Sequence, residues 1–231
     1  MILAFTSDIH LPTYARDAFH MLTLPIPPID VLLIAGDLTK RGVTNAFVEW
    51  FHRMKRIWKP SMVIAVWGNA DKDPVRKKLP KLVKDIIFLE DQILEIGDIT
   101  IIGTEGVIDL PTRWQLNHVP GIIDIYKNRI KWIANSVKSS KTKQVILLSH
   151  YGICETTIED AIDKRGLTSI ELCKVLKEHP PTLTTHGHSH HARVWKTKDP
   201  FPIYNVALPI HRRPILIDSK TLEEVPIGLF Q

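Results

Sequence analysis

The sequence lacks the features that mark membrane-spanning, exported and disordered chains. No stretch of its 231 residues approaches the ~18 uncharged apolar residues that a membrane-spanning helix needs. The apolar run 1–5 is too short for a signal peptide and leads at once to Asp8 and His10. A hydrophobic content of 44% is too high for a disordered chain. We therefore expect a cytoplasmic protein that does not associate with membranes.

Cysteine is scarce, with Cys154 and Cys173 as the two examples. Two cysteines without a CxxC spacing provide neither a disulfide framework nor a zinc-thiolate site. A reducing compartment is therefore expected. Any metal must then be bound by histidine, aspartate, glutamate or asparagine.

Internal repeats, low-complexity tracts and linker-like shifts in composition are also absent from the sequence. We therefore expect one domain over residues 1–231. The abundant isoleucine and lysine are loosely associated with heat-loving organisms. The oligomeric state stays open.

The chain has a modest excess of positive charge. Its 30 Lys and Arg against 25 Asp and Glu give +5 and a pI near 9.1, which favours anionic ligands. The most basic stretch, 72–84, lacks interleaved aromatic residues for base stacking, and an exposed helix face explains it without a partner. Nucleic-acid binding is therefore possible but not favoured.

Short β-branched runs predict strands, and apolar residues at three- and four-residue steps predict helices. The predicted strands are 2–6, 31–35, 62–67, 86–89, 93–96, 100–103, 145–149, 182–185, 192–195, 203–206 and 215–217. The predicted helices are 44–58, 73–85, 122–137 and 168–178, the last opened by a capping box of Thr168 and Glu171. Turns at Glu90-Asp91 and Gly97-Asp98 predict hairpins, and hence mixed rather than purely parallel sheets.

Two irregular segments carry candidate substrate-binding residues. The loop 104–120 contains Arg113, Trp114 and His118, and it is either a surface excursion or a substrate-facing loop. His211 and Arg212 lie in a late basic turn that could contact phosphate.

Polar residues able to bind metal follow five of the predicted strands. They are Asp8 and His10, then Asp37, then Asn69, then His150, and last His188 and His190. Because loops at the carboxyl edge of such a sheet converge on ligands, their joint occurrence is far more specific than any one of them. The flanking His186 and His191 are expected to support the cluster or face solvent.

These residues resemble the calcineurin-like metallophosphoesterases, whose ordered pattern is D-x-H, G-D, G-N-H-[DE], H and G-H-x-H. The chain carries Asp8-Ile9-His10, Gly36-Asp37, Gly68-Asn69-Ala70-Asp71, His150 and Gly187-His188-Ser189-His190. The resemblance extends over nearly the whole chain. It implies a four-layer αββα sandwich of two mixed sheets flanked by helices.

The resemblance also implies a ligand set for two divalent metal ions, either Mn, Fe, Zn or Ni. One ion would be bound by Asp8, His10, Asp37 and His190, and the other by Asp37, Asn69, His150 and His188. Imidazole and oxygen ligands without thiolate suit these metals. The implied activity is hydrolysis of small phosphodiesters or phosphomonoesters by a hydroxide activated between the two ions.

Ala70 departs from the pattern, because the resemblance implies histidine there as a group that assists the leaving oxygen. Asp71, which orients that histidine in the family, is expected to support the ligands while pairing with Lys72 or Arg76, or to cap a turn. Ala70 keeps open a scaffold that binds protein partners with lapsed catalysis. The basic pI keeps open a nuclease.

Overall fold

The computed structural model describes residues 1–228. The strands are β1 Ile2–Thr6, β2 Val31–Ala35, β3 Met62–Val66, β4 Ile86–Leu89, β5 Gln92–Ile96, β6 Ile99–Thr104, β7 Gln144–Ser149, β8 Gly152–Ile153, β9 Thr168–Ser169, β10 Leu183–His186, β11 Lys196–Thr197, β12 Ile203–Asn205 and β13 Ile215–Asp218. The helices are α1 Ala15–His20, α2 Asn45–Ile57, α3 Asp73–Leu82, α4 Arg113–His118, α5 Ile122–Ser139, α6 Ile170–Leu176 and α7 Leu208–His211. Short 3-10 turns lie at Met21–Thr23 and Lys164–Gly166.

The larger strands form two mixed sheets. The first has the order β13-β1-β2-β3-β4, with β13 antiparallel to β1 and the remaining pairs parallel. The second has the order β11-β12-β10-β7-β6-β5, with both edge strands antiparallel to their neighbours. Its four inner strands are parallel.

The alternation of side chains along the strands explains the four layers. In β2, Leu32 and Ile34 pack with the helices outside the first sheet, while Leu33 packs between the two sheets. In β7, Ile146 packs between the sheets and Leu147 packs toward α5 and α6. Because successive strand residues point to opposite faces, strands buried on both sides need these continuous apolar runs. The predicted αββα sandwich is confirmed.

The aromatic stripe of α2 is part of the core. Phe47, Trp50, Phe51 and Met54 are buried against the first sheet, and the Trp50 indole donates a hydrogen bond to the Ala18 carbonyl at 2.9 Å. The amphipathic period therefore predicted the buried face correctly.

Several predicted elements differ from the structure at their ends. The run 192–195 is not a strand, and the edge strand β11 follows it at Lys196–Thr197. Thr168 belongs to β9, so α6 begins two residues later and is capped by Ser169, whose hydroxyl accepts from the Leu172 amide. The predicted capping box of Thr168 and Glu171 is therefore wrong, and a single side-chain cap one residue later takes its place.

The two predicted hairpin turns have different outcomes. Gly97-Asp98 joins the antiparallel strands β5 and β6, as predicted. Glu90-Asp91 instead connects β4 in the first sheet to β5 in the second, so it carries the chain between sheets. Turn composition predicts a reversal but does not tell which sheet the next strand joins.

The irregular loop also contains a helix that the sequence did not predict. Thr112 and Gln115 form a reciprocal capping box at the start of α4. At six residues, α4 is too short to show a clear amphipathic period.

Cys154 and Cys173 form a disulfide, which corrects the expectation of unpaired thiols. Cys154 follows β8, and Cys173 lies on the buried side of α6. Sequence spacing could not predict this pairing, because the two residues meet only after α6 packs on the second sheet.

Of the helices between residues 1 and 228, none is both long and apolar enough to cross a lipid bilayer.

Candidate metal centre

The seven predicted metal-binding residues all lie just beyond the carboxyl ends of parallel strands. The first sheet supplies Asp8 and His10 after β1, Asp37 after β2 and Asn69 after β3; the second supplies His150 after β7 and His188 and His190 after β10. Backbone hydrogen bonds continue between these loops past the strand ends. The amides of Asp8 and His10 donate to the carbonyls of Gly36 and Asp37 at 3.0 and 2.9 Å.

Two carboxylates form the centre of the cluster. Asp8 Oδ1 lies 3.0 Å from His190 Nε2 and 3.7 Å from His10 Nε2. Asp37 Oδ2 lies 3.3 Å from His10 Nε2 and 3.6 Å from His150 Nε2. Asp37 therefore faces a histidine from each sheet.

Asn69 and His188 complete the arrangement on the side that opens to solvent. Asn69 Oδ1 lies 3.0 Å from His150 Nε2. The His188 amide donates to Asp8 Oδ2 at 2.9 Å, and its ring lies 5.2 Å from the His150 ring, measured between centroids. Both side chains are half-buried, whereas Asp8, Asp37 and His150 are buried.

The two carboxylates respond oppositely to their surroundings. Burial raises the pKa of Asp8, but the hydrogen bond from His190 and the nearby histidines outweigh it and hold that pKa well below its ordinary value. Burial raises the pKa of Asp37 to about 7, against the opposing effect of His150. Without a further positive charge, the cluster thus favours one ionised carboxylate over two.

Three of the histidines illustrate the same competition. Burial lowers the pKa of His10 to about 4 and that of His188 to about 3, so both are neutral near pH 7. Burial also acts on His150, but Asp37 and Asp8 outweigh it and raise its pKa. Neutral imidazole is the form that binds a metal ion.

The backbone of the cluster is unusual. The φ angles of four residues lie in the left-handed region that residues other than glycine rarely adopt. They are 53° for Asp8, 43° for His10, 52° for Asp37 and 66° for His188. Such conformations persist where the surrounding structure imposes them, and they concentrate at functional sites.

Two glycines allow the loops to approach each other. A β-carbon at Gly68 would collide with the Asp37 carboxylate, and one at Gly187 would collide with Asp8 Oδ2 and the Ser7 hydroxyl. The glycines of the G-N and G-H motifs thus make room for the two central carboxylates.

Asp71 supports the cluster through the backbone, not through the predicted pairing with Lys72 or Arg76. Its buried carboxylate accepts from the amides of Leu38, Thr39 and Gly68 at 3.1, 3.0 and 3.2 Å. Arg76 Nε donates to the Asp71 backbone carbonyl, not to its carboxylate. Asp71 therefore joins the loop of Asp37 to the loop of Asn69.

The donor set suits divalent cations. Buried oxygens and imidazole nitrogens converge: one ligand atom each from Asp8, His10 and His190 lie within 4.8 Å of one another, as do those from Asp8, Asp37 and His150. The His10 Nδ1 atom is buried without a hydrogen-bond partner, while Nε2 of the same ring faces the carboxylates of Asp8 and Asp37. Paired buried carboxylates are costly unless a cation compensates them.

A cleft of about 430 Å³ opens beside Asn69 and His188. Its polar wall includes Lys72, Arg76 and Arg129. Further lining residues come from α4, the start of α5 and the loop between them.

Trp114 and His118 of the predicted loop line this cleft, whereas the predicted substrate-binding residues Arg113, His211 and Arg212 do not. Arg113 begins α4 and is exposed. His211 Nε2 lies 2.8 Å from the Asn205 backbone oxygen, and the largely exposed Arg212 lies 3.8 Å from Asp17. Sequence reasoning missed Arg76 and Arg129 in the cleft, because each lies on a helix whose orientation depends on tertiary packing.

The two histidines that flank the G-H-S-H motif have different surroundings. His186 is buried, with Nε2 2.7 Å from the Thr157 hydroxyl, and burial lowers its pKa to about 4. His191 is exposed.

A model of the calcineurin-like phosphoesterase family matches residues 1–192. The chain belongs to this family. No curated protein sequence matches the chain.

Solved structures share the fold of this calcineurin-like phosphoesterase at low sequence identity. The phosphopantetheinyl hydrolase of Mycobacterium tuberculosis is 15% identical, with a TM-score of 0.66 over 94% of this chain and 96% of that one. TT1561 of Thermus thermophilus is 12% identical, with a TM-score of 0.65 over 98% and 97%. A putative 5'-nucleotidase from Staphylococcus aureus is 12% identical, with a TM-score of 0.54, and the matched region covers 99% of this chain and 53% of that one.

Proposed function

We propose that this chain is a metal-dependent phosphoesterase that hydrolyses small phosphodiesters or phosphomonoesters at a centre of two divalent ions. The observation that carries the proposal is the position of the Asp37 carboxylate, with Oδ2 3.3 Å from His10 Nε2 and 3.6 Å from His150 Nε2. A carboxylate between two groups of nitrogen and oxygen donors is the arrangement that a bridging ligand requires.

These contacts support the ligand assignment that the family resemblance implies. Asp8, His10 and His190 belong to one ion, Asn69, His150 and His188 to the other, and Asp37 to both. Mn, Fe, Zn and Ni all accept such a set of imidazole and oxygen ligands. Asn69 contributes a neutral oxygen, so the centre retains net positive charge for an anionic ester.

Two bound ions would supply an acidified water and would offset the charge of the phosphoryl oxygens. The protein's own contribution is orientation. Asp71 fixes the loops of Asp37 and Asn69 relative to each other. Asn69 and His188 border the cleft, so an ester in the cleft presents its phosphorus to that edge of the centre.

The remaining candidate functions have less support. All seven ligand residues that the resemblance implies are present. A scaffold that has lost catalysis would not need the complete set. The cleft is of small-molecule size, and the basic residues 76–81 lie on α3 rather than along a continuous groove.

We also propose a cytoplasmic location in a heat-loving organism, since intracellular disulfides are common in such organisms. Because the two cysteines form a disulfide, they no longer indicate a reducing compartment. Trapping of thiols with a reagent at the moment of cell lysis tests it, because a cytoplasmic chain from a mesophilic source would be recovered reduced.

The decisive experiment measures hydrolysis of bis-p-nitrophenyl phosphate together with metal content after Mn²⁺ loading. We expect more than one metal equivalent per chain and measurable turnover. Asp37→Asn should abolish turnover, because under this ligand assignment Asp37 alone would bind both ions. Asp98→Asn is the matched control, since Asp98 is an exposed carboxylate that pairs with Lys143. A folded protein that binds no transition metal would refute the proposal.

A further inference from the structure

The cleft beside the metal centre has walls of different chemistry. Its inner end is bordered by Asn69 and His188, where the phosphorus of an ester would lie under the proposed function. The basic side chains Lys72, Arg76 and Arg129 line part of it. Five apolar side chains, here called the apolar wall, also line it beside the polar Thr112, Gln115, His118, Tyr126 and Tyr151: Ile108, Trp114, Val119, Ile122 and Ile125.

The apolar wall is partly exposed to solvent. Ile108 and Ile122 are 2% and 7% exposed, whereas Trp114 and Ile125 are 49% and 40% exposed. Among the described residues, exposed large apolar side chains are concentrated between 110 and 125, where Leu110, Leu116 and Ile123 join them. Concentrated apolar exposure beside a cleft is typical of a binding surface.

Two of the three basic side chains in the cleft are already paired with carboxylates. Arg76 pairs with Glu105 at 2.8 Å and Glu90 at 3.2 Å, and Arg129 pairs with Asp91 at 2.9 Å. Because these guanidinium groups already face carboxylates, they offer little net positive charge at the outer end of the cleft.

The ammonium group of Lys72 lies over the apolar wall itself. Its Nζ atom is 4.0 Å from the centroid of the Trp114 ring, and the His118 ring stacks on Trp114 at 4.9 Å. This contact joins the residue that precedes α3 to α4 across the cleft. Together with the stacking of His118, it favours one orientation of the Trp114 ring.

We infer that the cleft binds a bulky apolar group of the ester, aromatic or branched, while the phosphoryl group lies at the metal centre. This inference rests on the proposed function and names its substrate class: phosphoesters of apolar alcohols rather than of sugars or polyols. The occupant is the substrate itself, because the apolar wall and the ligands Asn69 and His188 border one continuous cleft.

The test varies the group on the ester that is not the leaving group. Methyl, 2,3-dihydroxypropyl and benzyl p-nitrophenyl phosphates all release nitrophenolate, so the chemical step is matched. With Mn²⁺-loaded protein, kcat/KM for the benzyl ester should exceed that for the methyl ester by ~10- to 100-fold, the range that an apolar pocket achieves. The dihydroxypropyl ester should show no such gain.

Variants test whether the apolar wall causes the preference for the benzyl ester. Trp114→Ala and Ile125→Ser should bring the benzyl to methyl ratio close to one. Ile162→Ser is the matched control, because Ile162 is an exposed isoleucine that does not line the cleft. It should leave the ratio unchanged.

The outcomes separate the two proposals. Failure to hydrolyse any of the three esters by metal-loaded protein would refute the proposed function. Hydrolysis of all three with equal kcat/KM would keep that function and overturn this inference. An unchanged ratio in Trp114→Ala, with a shift in elution volume from dimer to monomer, would also overturn it and make the wall a subunit interface.

Discussion

The Ala70 amide donates a hydrogen bond to Asp37 Oδ1 at 2.7 Å, which leaves Oδ2 to face His10 and His150. The residue at the position that departs from the family pattern thus fixes the central carboxylate through its backbone. Any residue other than proline can provide this contact. The substitution at residue 70 therefore changes the chemistry available at the side chain without disturbing Asp37.

Gly68→Ala should disrupt the metal centre. The new β-carbon would collide with the Asp37 carboxylate, so we expect loss of metal stoichiometry and a decrease of ~1 to 3 kcal/mol in the free energy of unfolding. Metal analysis and denaturant titration measure the two effects. Gly166→Ala is the control, because a β-carbon there meets no atom within 4 Å. Full metal content in Gly68→Ala would contradict the prediction.

Ala70→His should favour esters with poor leaving groups. The half-buried position can admit a ring. A positioned proton donor typically increases the rate by ~10² to 10⁴. We expect a gain below ~10², because the Asp71 carboxylate already binds backbone amides and cannot orient the new imidazole. The ratio of kcat/KM for an alkyl ester to that for a nitrophenyl ester should rise. An unchanged ratio in a metal-loaded variant would mean that another group protonates the leaving oxygen.

His211 should make the protein less stable in acid. Burial lowers the pKa of its imidazole below 6.5, so the folded protein keeps the ring neutral while the unfolded chain takes up a proton. Its contribution to stability is thus complete above pH 6.5 and is lost as the pH falls below that value. His211→Gln should flatten the decline in the free energy of unfolding below pH 6.5, whereas substitution of the exposed His52 should not. Parallel stability curves for His211→Gln and the wild type would exclude this role.

The disulfide should contribute measurably to stability. Cys154 and Cys173 are 19 residues apart, and closing a loop of that size stabilises a fold by ~3 kcal/mol. Cys154→Ser should reduce the free energy of unfolding by about this amount. Reductant should lower the stability of the wild type and leave that of the variant unaltered. Equal stability of wild type and variant without reductant would show that the bond does not form.

The strands and the approximate site could be predicted because both are local in sequence. β-branched runs specify β1, β2 and β7, and polar residues follow each of them directly. The parallel arrangement then brings those residues to one edge of the fold. The ligand roles themselves remain predictions.

The features that sequence reasoning missed depend on contacts between distant residues. Asp71 binds the Leu38 amide 33 residues away, and Cys173 meets Cys154 only when α6 docks on the second sheet. Arg129 reaches the cleft from α5, 38 residues after its partner Asp91. No local pattern encodes such pairs.

One of the two neighbours of β1 in the first sheet is a strand that is distant in sequence. β1 pairs with β2 on one side and with β13, Ile215–Asp218, on the other. During synthesis this edge of Ile2–Thr6 therefore has no backbone partner until β13 has been translated. An apolar strand with an unpaired edge is a template for pairing with another chain. Ribosomes that stall before residue 215 would thus release chains prone to aggregate through their first strand.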